Sequence, residues 1–163
     1  MKGKTTGLPN VEGGVLMASI LVVDDDDTIR DALYELFADE HLCHTAATAE
    51  RALAWLDTEG YDVVLTDISM PGLSGLELLG RVRQRYPETP VIIISGINDQ
   101  EHAQGLMKLG AFDFLLKPFR LEKVEESVKR AIEYHQRLLD ERRNRATTAG
   151  DDWQAIWNDA RKT

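Results

Sequence analysis

Short apolar runs alternate with helix-like patterns along most of this chain of 163 residues. The strongest runs are bounded by turn-forming or charged residues, as buried strands usually are. The run at 42–46 is a weaker strand prediction than the others. The predicted strands lie at 20–23, 42–46, 63–66, 91–94 and 112–116.

Between these strands, apolar residues recur at helical spacing. Ser74 and Glu77 stand three residues apart, as in a capping box, and predict the start of the third helix. Asn98 or Asp99 is predicted to start the fourth. The helices are expected at about 29–37, 48–56, 74–86, 98–110 and from 121 onward.

Five strands alternating with five helices predict an α/β fold with a doubly wound parallel sheet, for which the strand order 2-1-3-4-5 is common. Ligands of such folds bind beyond the carboxyl ends of the strands. Those ends carry Asp24, Asp25, Asp67, Ser95 and Lys117. Since the first and third strands are neighbours in this order, their acids are expected to converge.

The four consecutive acids from Asp24 to Asp27 need an explanation of their own. Two carboxylates about 5 Å apart repel by roughly 3 kcal/mol at an effective dielectric of about 20. A solvated loop tolerates this repulsion, and a cleft tolerates it when a cation is bound. Asp26 and Asp27 are predicted to start the first helix, where acids complement the helix dipole. Asp24 and Asp25 remain candidates for a cation site.

The composition is that of a soluble globular protein, with 43% hydrophobic and 29% charged residues. The net charge of −9 argues against a nucleic-acid-binding surface over the chain as a whole. No stretch reaches the roughly 18 apolar residues that span a bilayer. A single cysteine, Cys43, excludes an internal disulfide and is predicted to be a buried thiol. A cytoplasmic location is expected.

Four motifs at the predicted strand ends are similar to those of two-component response-regulator receiver domains, the flavodoxin-like phosphoacceptors of that signalling system. They occur in the family's order, and the resemblance covers about residues 18–139. The motifs are Val22-Val23-Asp24-Asp25, Leu65-Thr66-Asp67-Ile68-Ser69-Met70-Pro71-Gly72, Ile94-Ser95-Gly96 and Leu116-Lys117-Pro118-Phe119.

The resemblance implies that Asp67 is the phosphoacceptor. It also implies a Mg²⁺ site, with Asp25 as a direct ligand, Asp24 as a ligand through water, and the Ser69 backbone carbonyl completing the set. Mg²⁺ prefers oxygen ligands and keeps several waters, which suits these residues. A carboxylate nucleophile is already deprotonated near neutral pH, so no general base is required.

The resemblance further implies that Ser95 and Lys117 bind the phosphoryl oxygens and that Phe114 is the switch aromatic. Ser95 stands where threonine is usual, and Phe114 stands where many members have tyrosine. The implied phosphodonor is a sensor histidine kinase. Phosphorylation would change the surface formed by the fourth helix, the fifth strand and the fifth helix.

The two ends of the chain are harder to interpret. Residues 1–17 are predicted to be a disordered leader rather than a signal peptide, because they contain Pro9 and Glu12 and the following apolar run ends in acids. The last helix is predicted to reach about Arg145, and residues 146–150 to form a linker. Beyond it lies a short apolar stripe of Trp153, Ile156 and Trp157.

Residues 140–163 are therefore predicted to be a helix extension, a linker and a tryptophan-containing tail. The extension is interpreted as a dimerising or relay helix, or as a frayed end. The tail has three interpretations: docking on the receiver, binding a partner, or beginning an output domain. A homodimer is expected through the switch surface or the extended helix.

Two other functions remain open. The first is a Mg²⁺-dependent phosphohydrolase with an aspartyl nucleophile, although Ser69 stands where such enzymes carry a general acid. The second is a degenerate receiver that only binds partners, against which the intact acids argue. The favoured function is a phosphoacceptor protein, not an enzyme with external turnover.

Overall fold

The computed structural model describes residues 17–96 and 100–161. Five parallel strands form one sheet in the order β2-β1-β3-β4-β5, which confirms the predicted topology. The strands are β1 Ser19–Val23, β2 Leu42–Ala46, β3 Val63–Asp67, β4 Val91–Ser95 and β5 Asp113–Leu116. The helices are α1 Asp27–Ala38, α2 Ala49–Thr58, α3 Gly75–Arg85, α4 Gln100–Lys108 and α5 Leu121–Ala160.

The central strands are buried on both faces, because helices cover the sheet on each side. Successive side chains of a strand point to opposite faces. Accordingly, Leu21 and Val23 belong to the apolar cluster under α2 and α3, whereas Ile20 and Val22 belong to the cluster under α1 and α5. This double burial explains why the strands are continuous apolar runs without polar alternation.

Polar side chains cap the starts of α1 and α3. Asp26 precedes α1, and its carboxylate accepts hydrogen bonds from the backbone N–H groups of Thr28 and Ile29. Ser74 and Glu77 form the predicted capping box at the start of α3. Both predictions are confirmed. The predicted start of α4 at Asn98 or Asp99 lies outside the described residues, as does the leader up to residue 16.

The predicted linker at residues 146–150 is wrong, because these residues lie inside α5. The helix has 40 residues and is therefore about 60 Å long. The hydroxyl groups of Thr147 and Thr148 donate hydrogen bonds to the backbone carbonyls of Arg143 and Asn144, each at 3.0 Å, and the helix continues through them. Gly150 costs only about 1 kcal/mol in a helix. The composition suggested a linker, but no residue there prevents helix continuation.

Cys43 is buried in the cluster under α1 and α5, as predicted, and burial raises the pKa of its thiol to about 11. Among the helices that the structure describes, none is both long and apolar enough to cross a bilayer.

Candidate functional site

Three carboxylates meet at the carboxyl edge of the sheet. Asp24 and Asp25 follow β1, and Asp67 ends β3, which pairs directly with β1. One oxygen from each of the three lies within 4.8 Å of the others. Asp24 and Asp67 are buried, whereas Asp25 is exposed. The convergence predicted from the strand order is therefore present.

Asp67 is held firmly although it lies in a crowded acidic site. Its Oδ1 accepts a hydrogen bond from the backbone N–H of Ile68 at 2.9 Å, and its backbone carbonyl accepts one from the Thr66 hydroxyl at 2.9 Å. Burial raises the pKa of Asp67, Lys117 opposes that shift, and the nearby Asp24 charge adds to it. The net pKa lies above the ordinary value, as expected for a buried carboxylate beside a second acid.

Lys117 supplies the nearest positive charge. Its Nζ lies 3.0 Å from Asp24 Oδ2 and 3.5 Å from Asp67 Oδ2. Burial acts to lower the pKa of Lys117, but the hydrogen bond to Asp24 and the charges of both acids outweigh it, so the pKa is raised. Lys117 therefore stays an ammonium ion between the two buried carboxylates.

The backbone places Lys117 at this edge. The Lys117 N–H donates to the Ser95 carbonyl at 2.8 Å, which joins the end of β5 to the end of β4. The peptide bond between Lys117 and Pro118 is cis. Ser95 itself is buried at the carboxyl end of β4. The two residues predicted to bind a phosphoryl group are thus neighbours across two paired strands.

Arg30 is a neighbour of the site that the sequence pattern did not reveal. Its Nη1 donates to the Asp24 backbone carbonyl at 2.9 Å, and its Nη2 bonds to Asp27. The Asp26 N–H donates to Asp24 Oδ1 at 2.9 Å. These contacts fix the β1–α1 turn. An arginine on a helix carries no sequence signal for such a contact, because the bond is made to a backbone atom.

Gly75, the first residue of α3, allows the helix to approach the end of β3. A Cβ atom at Gly75 would lie 2.0 Å from the Asp67 carbonyl oxygen and 2.8 Å from the Ile68 Cα. The Gly75 N–H donates to the Ile68 carbonyl at 2.8 Å. No side chain fits in this space, so glycine is needed for close contact between α3 and the backbone that carries Asp67.

Two further predicted residues lie at the edge of the cluster. Ser69 is exposed, two residues beyond Asp67. Phe114 lies on β5, opposite Ile93 of β4, and is half-buried against the apolar cluster under α2 and α3. One strand, β4, therefore lies between Phe114 and the strand that carries Asp67.

The donor set fits Mg²⁺. Three carboxylates are hard oxygen ligands, and an exposed acid such as Asp25 leaves room for the waters that Mg²⁺ retains. Burial is the largest cause of the raised pKa of Asp67, and the nearby Asp24 charge adds to it. A divalent cation bound by the three acids would favour their charged forms.

The histidines that flank Cys43 lie at other places. His41 Nδ1 accepts a hydrogen bond from the Ala18 N–H at 3.1 Å. His44 stacks on Trp55 with ring centroids 4.3 Å apart and shares a 2.7 Å hydrogen bond with the Tyr61 hydroxyl. The His41 ring is therefore bound to the backbone just before β1, and the His44 ring packs against α2.

A buried polar cluster at the opposite edge of the sheet was not predicted. Asp62 accepts from the Ser19 N–H at 2.7 Å, shares a 2.8 Å contact with His135 Nδ1 and accepts from Gln136 Nε2 at 3.3 Å. Burial acts to raise the pKa of Asp62, but these partners outweigh it and lower the pKa. The cluster attaches α5 to the amino ends of β1 and β3. Asp62 and His135 are 73 positions apart, so no local sequence pattern reveals this pairing.

A family model described as the response regulator receiver domain matches residues 20–129. The chain belongs to the response regulator receiver domain family. Receiver domains are the phosphorylation-dependent switches of two-component signalling, and this receiver has their fold, with sheet order 2-1-3-4-5 and a long last helix.

Comparison with known proteins supports the same family assignment. The receiver is 42% identical over 118 residues to the DNA-binding transcriptional regulator NtrC of Salmonella typhimurium, covering 72% of this chain and 25% of NtrC. A crystal structure of a response regulator receiver domain protein from Clostridium thermocellum has a TM-score of 0.70 and 34% identity, covering 75% of this chain and 99% of that one. A crystal structure of NtrX from Brucella abortus has a TM-score of 0.72 and 36% identity, covering 77% of this chain and 29% of that one.

The chain spans about a quarter of the length of the curated relatives that it matches first. The likeness therefore concerns one domain of those longer regulators.

Proposed function

We propose that this receiver takes a phosphoryl group onto Asp67 and transmits that change through its surface. The observation that carries the proposal is the meeting of Asp24, Asp25 and Asp67 with the ammonium group of Lys117 at one edge of the sheet. Isolated strand-end acids would have no reason to converge beside a lysine at this edge. An acceptor for a dianionic group needs a nucleophilic carboxylate and nearby cations.

In the proposed reaction, an oxygen of the Asp67 carboxylate attacks the phosphorus atom. The new carboxyl O–P bond forms as the bond between phosphorus and the donor's leaving group breaks, and the leaving group departs with the bonding electrons. Lys117 and the Ser95 hydroxyl would bind the oxygens of the transferred group.

The proposed metal ligands are Asp25, Asp24 through water, Asp67 and the Ser69 backbone carbonyl. Bound Mg²⁺ would neutralise charge between the approaching anions and orient their oxygens. Lys117 holds Asp24 in the absence of metal, so the Asp24 carboxylate stays in position for either cation. This arrangement supports Mg²⁺ as the cofactor.

Phosphorylation replaces a singly charged side chain by one with about two negative charges near neutral pH. Lys117 and Ser95 are drawn toward the new oxygens, and their backbones are already joined by the 2.8 Å hydrogen bond between β5 and β4. Phe114 lies on β5, the strand that Lys117 directly follows, and is the proposed reporter of this movement. The α4-β5-α5 surface is therefore the proposed output surface.

The proposed phosphodonor is a sensor histidine kinase in the cytoplasm. The relatives are regulators about four times as long as the matched segment, so they contain further sequence beyond their receiver. The chain has a net charge of −9, which supports output through protein contacts rather than direct nucleic-acid binding by these residues.

Incubation with acetyl phosphate and Mg²⁺ tests the proposal. Intact-mass measurement should show the gain of one phosphoryl group, which disappears in Asp67→Asn and in the presence of a chelator. Asp31→Asn is the matched control, because Asp31 is an exposed acid on α1. A phosphoryl gain that persists in Asp67→Asn would refute the assignment of the acceptor.

The same assay separates the alternatives. A phosphohydrolase would turn over an excess of a phosphate ester such as p-nitrophenyl phosphate, whereas a phosphoacceptor reacts once and then loses the group slowly. A degenerate receiver would show neither Mg²⁺ binding nor phosphoryl gain. The proposed function predicts one equivalent of phosphoryl group per chain and no catalytic turnover of the ester.

A further inference from the structure

The loop that joins β3 to α3 is tied to the rest of the protein by a side chain from α2. The loop comprises residues 68–74 and includes Ser69, whose backbone carbonyl is a proposed Mg²⁺ ligand. Among the described residues, the loop backbone at 69–73 makes one hydrogen bond, which the Leu73 N–H donates to Glu50 Oε1 at 3.0 Å. Glu50 lies in the first turn of α2. A distant acid therefore holds the loop that follows the phosphoacceptor.

Gly72 allows the loop backbone to pass close to the Glu50 carboxylate. Its φ of +76° lies in the left-handed region that favours glycine, and a Cβ atom there would be 2.6 Å from Glu50 Oε1. The side chains of Met70 and Leu73 are half-buried against the apolar cluster under α2 and α3, but apolar packing is non-directional. The hydrogen bond to Glu50 is the contact that fixes the direction of the loop backbone.

The start of α2 is itself fixed relative to the first pair of acids. The Asp24 N–H donates to the Ala46 carbonyl at 3.1 Å, which ties the end of β2 to the end of β1. Thr48 then caps α2 through its side chain, and Ala49 is completely buried. Glu50 therefore projects from a helix start whose position relative to Asp24 is set by the sheet.

Glu50 thus connects the two backbone segments that carry the proposed metal ligands. One segment is the end of β1 with Asp24 and Asp25, and the other is the loop with Ser69. Mg²⁺ demands near-ideal octahedral geometry, so its ligands must be held at fixed relative positions. A backbone carbonyl on an exposed loop meets this demand only when the loop is held in place.

The Glu50 carboxylate could act in three ways, which have different requirements. The hydrogen bond from the Leu73 N–H is the largest cause that lowers the pKa of Glu50, and it requires an oxygen acceptor. An acid in the first turn also complements the dipole of α2, which affects the stability of the helix. Attraction of a cation from a distance requires only the negative charge. Substitutions that keep the acceptor but remove the charge separate these roles.

We infer that Glu50 is a positioning residue for the Mg²⁺ site, which holds the β3–α3 loop through Leu73 and thereby sets the Ser69 carbonyl toward the three acids. The inference rests on the proposed function, because Ser69 is a metal ligand only in that scheme. Glu50 is not itself one of the clustered acids. Its effect on the metal therefore passes through the loop backbone.

Titration of the isotope-labelled full chain with MgCl₂, followed by backbone amide chemical shifts, tests the inference. Glu50→Ala should raise the Mg²⁺ dissociation constant by about tenfold, the lower end of the loss that follows removal of a group supporting a metal ligand. Glu50→Gln keeps an oxygen acceptor for the Leu73 N–H and should recover most of that loss. A Glu50→Gln variant as weak as Glu50→Ala would assign the effect to charge and overturn the positioning role.

Glu122→Ala is the matched control. Glu122 is likewise an exposed acid in the first turn of a helix, α5, and it makes no hydrogen bond or ion pair within the part of the chain that the structure describes. Its removal loses the same interaction with a helix dipole and should leave the Mg²⁺ dissociation constant unchanged. Urea unfolding accompanies each variant, because a merely structural role of Glu50 would lower the free energy of unfolding without weakening Mg²⁺ binding by the folded protein.

Hydrogen exchange of the Leu73 amide, measured without metal, reports the contact independently. Its exchange rate should rise in Glu50→Ala and rise less in Glu50→Gln, and an unchanged rate in Glu50→Ala would overturn the inference. Equal Mg²⁺ affinity of Glu50→Ala and the unmodified protein would overturn the inference alone. An unmodified protein that binds no Mg²⁺ would overturn both the inference and the proposed metal site.

Discussion

Lys117 lies closer to Asp24 than to the proposed phosphoacceptor, with Nζ 3.0 Å from Asp24 Oδ2 and 3.5 Å from Asp67 Oδ2. The lysine therefore bridges two buried acids. Its charge compensates the acid pair in the same place where Mg²⁺ is proposed to bind. The lysine and the proposed metal ion would thus act on the same carboxylate, Asp24.

Lys117→Met should lower the free energy of unfolding by about 2 kcal/mol in metal-free buffer, because two buried carboxylates lose their counter-charge. Urea unfolding in the presence of a chelator measures this change. Added Mg²⁺ should recover part of the loss, since a ligand that binds only the folded state stabilises it. Lys123→Met, at an exposed site on α5, is the control. Equal stability of the two variants would contradict the bridging role.

The raised pKa of Asp67 predicts a pH-dependent effect of removing its charge. A carboxyl group whose folded pKa is raised favours the folded state below its unfolded pKa, and this contribution is lost as the pH rises through the folded pKa. Asp67→Asn should therefore stabilise the metal-free protein at neutral pH. The expected gain is about 1 kcal/mol, less than the roughly 3 kcal/mol of unscreened repulsion, because Lys117 already offsets part of it.

Urea unfolding at neutral pH and near pH 3 checks this. The stability advantage of Asp67→Asn should shrink toward zero in acid, because the Asp67 side chain of the unmodified protein is then also uncharged. Asp31→Asn should show no comparable pH dependence, because Asp31 is exposed. An advantage of the same size at both pH values would speak against repulsion as its cause.

Asp62 should behave in the opposite sense, because its folded pKa is lowered. Its contribution is present above the unfolded pKa and is lost as the pH falls through the folded pKa. Asp62→Asn should cost about 2 kcal/mol at neutral pH, since the Ser19 N–H and His135 lose a charged acceptor. The cost should diminish on acidification, as measured by urea unfolding. Asp57→Asn, an exposed acid on α2, should give a smaller and less pH-dependent loss.

Gly75→Ala should destabilise the receiver by about 3 kcal/mol, because the new methyl group would overlap the Asp67 carbonyl oxygen. It should also slow phosphorylation by acetyl phosphate, since α3 or the Asp67 backbone must move. Gly80→Ala is a sharp control in the same helix. A Cβ atom there meets nothing within 4 Å, so alanine should stabilise by about 0.5 to 1 kcal/mol. Thermal unfolding compares the two, and equal effects would contradict the close-approach argument.

The comparison of sequence and structure separates local from distant relationships. The capping box at Ser74 and the acid cap at Asp26 were predictable, because each involves residues within one helical turn. The continuation of α5 through 146–150 was not, because threonine, alanine and glycine suit a linker as well as an exposed helix. The hydrogen bonds from the Thr147 and Thr148 hydroxyls to carbonyls one turn earlier could not be predicted from the sequence.

By itself, the sequence determined the alternation of strands and helices and the acids that end β1 and β3, since these depend on apolar periodicity and residue type. Strand order followed from general topology rules, so the convergence of Asp24 and Asp67 was predictable. Only the tertiary structure decided that Lys117 sits nearer Asp24 and that Asp62 meets His135. Such distances depend on how backbones 70 or more residues apart pack, and no local pattern encodes them.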